Sequence, residues 1–171
     1  MIEKYCGGTV PKAETADETD EDLKQIAVGA AAKVEEQMDK FAFNMALEEI
    51  WILVRRANKY IDEKSPWILA KDESKKAELN TVMHNLAESI RIISILIYPF
   101  MHTTSKEIRK QMGLWYSDVV WEDAFTFEMM CGEQVKKKPI FPRLTREGAG
   151  ELQALNKPAE LTSIPLELKP R

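Results

Sequence analysis

Of the seven glycines and eight prolines in the 171 residues, only Gly29 and Pro66 fall between Thr19 and Tyr98. A breaker-poor stretch of that length, with apolar residues at steps of three and four, folds as helix. From Asp20 to Lys40 the stripe is Leu23, Ile26, Ala27, Ala30, Val34 and Met38, with Thr19 as the expected N-cap. Asp20, Glu21 and Asp22 then sit in the first turn, where the helix dipole favours negative charge. A second helix is expected over about Phe41 to Lys64, with Phe43, Leu47, Ile50, Val54, Ala57 and Ile61 as a near-heptad inner stripe. A third runs from about Glu73 to Tyr98 on Leu79, Val82, Leu86, Ile90, Ile93 and Ile97, and Pro99 stops it. Thr104-Ser105-Lys106-Glu107 has the capping-box pattern, which predicts a short fourth helix, Ser105 to Met112, closed by Gly113.

Three long helices with short connections predict an all-α fold, an antiparallel helix bundle, with the core in residues 1 to 144. Trp115, Tyr116, Trp121, Phe125 and Phe127 are expected to close over the bundle ends. Residues 145 to 171, with Gly148, Gly150, Pro158, Pro165 and Pro170, are expected to form an irregular, extended tail of no assigned role.

Composition removes several classes of protein. An apolar fraction of 44% and a charged fraction of 30% exclude collagen, wholesale disorder and a disulfide scaffold. The net charge of -4 repels a polyanion, so nucleic-acid binding must rest on a local patch. Cys6 and Cys131 have no second Cys or His at metal-ligand spacing, so no metal site is expected. The longest apolar stretch, Ile92 to Met101, is far short of the roughly 20 residues of a membrane span, and Met1 to Gly8 does not resemble a signal peptide. A soluble, cytoplasmic protein without membrane contact is the expectation.

No nucleophile-and-base constellation or Gly-rich phosphate loop is present, so no catalytic residue is expected and no cofactor is assigned to this chain. His84 and His102 are expected to be structural or solvent-facing. The segment that departs from bundle construction is Asn58 to Lys71, where Trp67 follows Pro66 at the exit of the second helix. The proline stiffens the backbone there. Between Arg55 and Lys76 seven basic side chains face four acidic ones, whereas residues 1 to 22 hold two basic and seven acidic. An aromatic ring among cations suits an unpaired nucleic-acid loop. Two dispositions of Trp67 stay open on pattern alone: an outward platform, or an inward lid on the core. Arg56, Lys59, Lys64 and Lys71 are likewise either phosphate contacts or a solvated face.

Four stretches resemble, in order, the C-terminal anticodon-binding domain of methionyl-tRNA synthetase, a class I aminoacyl-tRNA synthetase. They are Met1 to Tyr5 with Gly7-Gly8 and Pro11; Asn58 to Lys71 with its Pro-Trp; Asn85 to Ser89 through Pro99-Phe100-Met101; and Gly132 through Val135 to Pro139-Ile140-Phe141-Pro142-Arg143-Leu144. The resemblance covers about residues 1 to 144. It implies a bundle of the class I synthetase anticodon-binding type that reads the CAU anticodon loop of tRNA(Met). Trp67 would stack on a base and Pro66 would set its direction, with Lys71, Lys64, Arg56 and Lys59 as candidate phosphate contacts.

The family's base-reading Asn and Arg lie in an Asn-Leu-x-x-Arg stretch just before the position of Met1, so the resemblance implies an N-terminally truncated domain. ATP and methionine would bind a catalytic domain joined in cis, whose His-Ile-Gly-His and Lys-Met-Ser-Lys-Ser signatures this sequence lacks. The chain alone would then be inactive in charging tRNA. Cys6 stands where the family commonly has an aromatic residue. The alternative function is a helical protein-protein interaction module that uses the acidic N-terminal region or the heptad-like stripe of the second helix.

Overall fold

The computed structural model describes residues 1–114, 118–136 and 138–141, which hold six α-helices, three of them on the expected apolar periodicities. The six are α1 (Ile2–Tyr5), α2 (Glu18–Asp39), α3 (Phe43–Lys64), α4 (Pro66–Leu69), α5 (Lys76–Leu96) and α6 (His102–Gln111). Short 3₁₀ turns at Glu73–Lys75 and Trp121–Phe125 complete the regular structure. Met1–Ile140 form one compact unit. The anticipated tail, 145 to 171, and the aromatic pair Trp115-Tyr116 lie outside the described residues.

The bundle is all-α, as the periodicities require. Thr15 beside Thr81, and Asp20 beside Asn85, place the N-terminal ends of α2 and α5 together, so these two helices run parallel. Tyr60, near the end of α3, meets Asp20, near the start of α2, so α3 runs antiparallel to both. Extended chain pairs at one place among the described residues, an antiparallel bridge between Thr9 and Gln134. Hydrogen bonds from the Val10 amide to the Glu133 carbonyl and from the Gly132 amide to the Val10 carbonyl flank it.

The centre of the molecule is α5. Of its residues, Leu79, Thr81 to Ser89, Arg91, Ile92 and Ser94 to Leu96 are buried. Burial extends well beyond the C-terminal turns, where the apolar run places it, because α2, α3, α4, α6 and the 121–125 turn all pack on this helix. The expected inner stripe of α3 needs a correction. The residues that face the core are Ala46, Ile50, Leu53, Ala57, Tyr60 and Lys64, while Phe43 is 49% exposed. Val54 and Ile61 stand to one side and line an apolar cleft against Leu86 and Ile90 of α5.

The caps also differ. The N-cap of α2 is Asp17, not Thr19: Asp17 Oδ1 accepts from the Thr19 and Asp20 amides, and Asp20 Oδ2 accepts from the Asp17 amide. Asp17 and Asp20, three residues apart, bond each other's amides as a reciprocal capping box, which places the N-cap two positions before Thr19. Thr104 caps nothing, because α6 starts at His102, its N-cap being Met101 without a side-chain bond. The carbonyl of Ile97 accepts from the Met101 amide and that of Met101 from the Ser105 amide, so backbone alone carries one helix into the next. Gly113 does end α6. It has φ +84°, and a Cβ there would lie 2.7 Å from the Gln134 carbonyl oxygen.

The segment after α6 lies along the flank of α2 and α5 rather than across the bundle ends. The Trp121 indole donates to Glu35 on α2, and Arg91 on α5 donates to the carbonyls of Asp123 at 2.8 Å and Thr126 at 2.6 Å. Glu88 is fully buried; its carboxylate accepts from Arg91 Nε at 2.8 Å and from the Met130 amide at 2.5 Å. Removing one partner of a buried pair leaves the other charge uncompensated. Arg91→Met is therefore expected to lower stability by about 3 to 5 kcal/mol, read from urea denaturation followed by circular dichroism.

Candidate functional site

At the exit of α3 the chain makes a tight reversal at Ser65, whose backbone is left-handed at φ 43° and ψ 61°. Its amide donates to the Ile61 carbonyl at 2.9 Å and its hydroxyl to the Asp62 carbonyl at 2.9 Å. Pro66 then occupies the first position of α4, where its fixed φ suits a helix start and its missing N–H costs nothing. The Ile68 amide donates back to the Ser65 carbonyl at 2.7 Å. Pro66 and Leu69 are buried, and Trp67 and Ile68, between them, are not. With two buried anchors in a four-residue helix, the intervening side chains must point out. Trp67 is 44% exposed, which settles the choice between platform and lid.

The basic side chains around it divide into two kinds. Lys71 is exposed, and Lys59 is 72% exposed, in a loose pair with Glu63 at 3.4 Å. Arg56 is turned inward, its side chain only 10% exposed, donating to Asp22 at 2.5 Å and Glu63 at 3.0 Å. Lys64 is buried, bonded to Asp17 and lying 3.1 Å from Asp20. Neither Arg56 nor Lys64 is disposed to meet a phosphate, because each cation is already engaged by two carboxylates. The charge segregation seen along the sequence is thus partly cancelled in space: the acidic 17–22 stretch lies against the cations of α3.

Around Lys64 the side chains of Asp20, Tyr60 and Asn85 are closed off from solvent, with Asp17 at their edge, its side chain 54% exposed. Tyr60, with no exposure, donates to Asp20 Oδ1 at 2.5 Å, and Asn85 Nδ2 donates to the Tyr60 hydroxyl at 3.2 Å and to Asp20 Oδ1 at 3.4 Å. Burial, and then the bond to Asp20, push the Tyr60 phenol well above its usual range. Burial opposes the charge of Asp17, but the bonds from Lys64 and Thr19 outweigh it and hold the carboxyl far below the usual aspartate value. Burial also opposes the charge of Lys64, and the bonds to Asp17 and Asp20 reverse that effect, leaving its affinity for the proton raised.

Sequence reasoning missed a second contributor. A small cavity beside α4 is lined by Lys4, Tyr5, Ala70, Asp72 and Lys76, and Lys76 donates to the Tyr5 carbonyl at 3.1 Å. Helix α1 therefore lies next to the tryptophan turn, from which it is some sixty residues distant in sequence, and no local signal announces the meeting. Elsewhere, His84 is buried with Nδ1 3.0 Å from the Pro11 carbonyl, while His102 is exposed against the Tyr98 ring. Cys6 is half-buried, and burial raises its thiol pKa. Among the described residues, no group of three His, Cys, Asp or Glu is placed to hold a metal ion, and no helix is long and apolar enough to cross a membrane.

Fold and site together define an all-α bundle domain of the class I synthetase anticodon-binding type, with an indole set on its surface by a buried proline. Residues 10–151 match the family model described as the anticodon binding domain of methionyl tRNA ligase, and the chain belongs to that family. It is 50% identical over 161 residues to the methionine–tRNA ligase of Caldanaerobacter subterraneus subsp. tengcongensis, covering 94% of this chain and 25% of the relative. To the corresponding ligase of Halalkalibacterium halodurans it is 43% identical over 150 residues, covering 86% of this chain and 23% of the relative. The chain thus spans about a quarter of the length of these curated relatives. The crystal structure of apo Mycobacterium tuberculosis methionyl-tRNA synthetase superposes with a TM-score of 0.79 at 28% identity, over 85% of this chain and 30% of that one.

Two outcomes follow from the geometry of the turn and its cluster. Ser65→Gly relieves a left-handed backbone and is expected to raise stability by about 1 kcal/mol in thermal melts, whereas Ser65→Val lowers it. Because Asp17 binds its proton more weakly folded than unfolded, its contribution is complete above the ordinary value of 3.8 and is lost as the pH falls through the depressed one. Denaturation midpoints measured from about pH 5 to about pH 2 should therefore fall, and Asp17→Asn should flatten that slope.

Proposed function

We propose that this domain binds the anticodon loop of tRNA(Met), with the exposed face of Trp67 stacking on an unpaired base. Pro66 sets the direction of the ring. Lys71 and Lys59, the cations that remain solvent-facing, meet the phosphates, and Lys64 and Arg56 are left out of that role. The observation that carries the reading is the 44% exposure of Trp67 between two buried anchors. A large aromatic ring kept in water by construction loses burial energy that an inward rotamer would recover, and a stacked base restores it. The family match and the relatives' names support the same reading.

In a full-length synthetase the domain contributes affinity and discrimination far from the aminoacyl site, with methionine and ATP bound by a catalytic domain in cis. The chemistry of this chain is recognition, and no bond is made by it.

The rival reading, a helical protein-interaction module, keeps exposed Phe43 and the cleft lined by Val54 and Ile61 as surface but loses the rest of its stripe and most of its acidic region. Ile50 and Ala57 of the second-helix stripe are core residues, and Asp17, Asp20 and Asp22 of the acidic region are bonded to Lys64 and Arg56. Trp67→Ala is expected to weaken binding of an RNA hairpin with a CAU loop by ~1 to 3 kcal/mol, measured by fluorescence anisotropy with unchanged helicity as the control. Equal affinity of the two proteins for that hairpin would sink the reading.

A further inference from the structure

The least expected side chain in the molecule is the lysine that ends α3. Lys64 is the last residue of that helix, is 8% exposed, and turns its ammonium back toward the N-terminus of α2, where Asp17 and Asp20 receive it. Tyr60, one turn earlier and fully buried, bonds the same Asp20, and Asn85 of α5 bonds both Tyr60 and Asp20. Three helices are therefore tied together at one point, immediately before Ser65-Pro66-Trp67.

Apolar residues of similar volume often hold such a junction as well as a buried ion pair does, so stability alone is a weak reason for the charge. Directionality is a better one. Apolar contacts tolerate rotation and sliding, whereas an ammonium that must reach two carboxylates while Tyr60 reaches one of them admits a single rotation of the last turn of α3. Each residue of a helix turns the chain by about 100°. A slip by one residue would swing the departing backbone through that angle, and Trp67 leaves only three residues later.

The backbone supplies a second, independent sign. A non-glycine residue in the left-handed region persists only where its surroundings over-determine it. Ser65 is such a residue, and it is held from both sides. Beyond it, Pro66 and Leu69 are buried, and the Ala70 amide donates to the Pro66 carbonyl at 3.0 Å. Before it, the constraint is the Lys64 junction.

We infer that Lys64, braced by Asp17, Asp20, Tyr60 and Asn85, is a positioning residue for base stacking. It fixes the end of α3 so that the Ser65-Pro66 turn presents the Trp67 ring outward, and it acts through Trp67 without touching the nucleic acid. The role rests on the stacking function proposed above for Trp67.

A double-mutant cycle tests it. Binding of the CAU-loop hairpin is measured for the wild-type chain, Lys64→Met, Trp67→Ala and the double variant, with helicity checked for each. Lys64→Met is expected to weaken binding about tenfold in the wild-type background, within the range that a stacked base supplies. In the Trp67→Ala background it should change binding by less than about twofold, since a residue that acts through another has nothing left to act upon. Lys64→Arg should restore affinity to within about twofold of the wild type, the guanidinium reaching the same carboxylates.

The same tenfold loss in both backgrounds would mean that Lys64 contacts the RNA directly and would overturn the inference, as would wild-type affinity for Lys64→Met. Should Lys64→Met fail to fold, Tyr60→Phe, which deletes one hydroxyl, carries the cycle: a loss confined to the background containing Trp67 supports the brace, and no loss overturns it.

A direct probe of the ring separates this inference from the function on which it rests. With 5-fluorotryptophan incorporated, the ¹⁹F resonance of Trp67 is assigned by its disappearance in Trp67→Phe. Lys64→Met should shift or broaden that resonance and leave Trp121 unchanged, and an unmoved Trp67 resonance overturns the positioning role. If the ring responds in this way but Trp67→Ala binds the hairpin as tightly as the wild type, the stacking function fails while the mechanical link stands.

Discussion

A helix buried on nearly every side must find a partner for each polar atom it carries, and α5 does so by recruiting a different part of the chain at almost every turn. Thr81 receives the amides of Glu14 and Thr15, His84 meets the Pro11 carbonyl, and Asn85 reaches Asp20 and Tyr60. Glu88 takes the Met130 amide, Arg91 takes the carbonyls of Asp123 and Thr126, and the Ser94 carbonyl takes the hydroxyl of Ser105. Burial alone would let these segments lie anywhere on an apolar cylinder. The polar atoms specify where each one sits, because leaving any of them unpaired in the interior costs about 1 to 3 kcal/mol. Among the described residues His84 Nε2 is the exception, a buried nitrogen without a hydrogen-bond partner.

Much of this was legible in the sequence, and the failures share a cause. The helix spans of α2, α3 and α5 follow from spacing alone, because a period of three and four over five turns has no competing interpretation. Which face of α3 points inward was misread. Counting apolar residues selects Phe43, Val54 and Ile61, whereas the true seam ends in Tyr60 and Lys64, and a lysine is never scored as core unless its partners are known. Those partners, Asp17 and Asp20, lie more than forty residues away. The caps failed for the opposite reason, an excess of suitable residues: four of the six positions from 17 to 22 are Asp or Thr, and only geometry chooses among them.

The proposed stacking site divides in the same way. Pro66 and Trp67 are a local signal, since proline stiffness and aromatic bulk belong to adjacent residues, but pattern alone left open whether the ring faces outward or inward. The cations were counted correctly but assigned by proximity in sequence. Folding sorts them by their neighbours instead, drawing Arg56 and Lys64 into the acidic end of α2 and leaving Lys59 and Lys71 at the surface. The contribution of α1 could not be foreseen, because its approach to α4 depends on the path of the whole bundle.

The clasp between residues 8–10 and 132–135 bears on the order of events in folding. Its two extended segments are 125 positions apart at Thr9 and Gln134, whereas α2 and α3 are neighbours joined by three residues. Contacts of such different range do not form together, since a long loop must lose its entropy before a distant pairing repays it. The helices can condense first and the clasp fasten last over a nearly finished core. By the same reasoning it is the first part to let go, opening as a local unit while α5 stays sheathed, so that amide exchange at Val10 and Val135 runs ahead of exchange at Leu86 and Ile92.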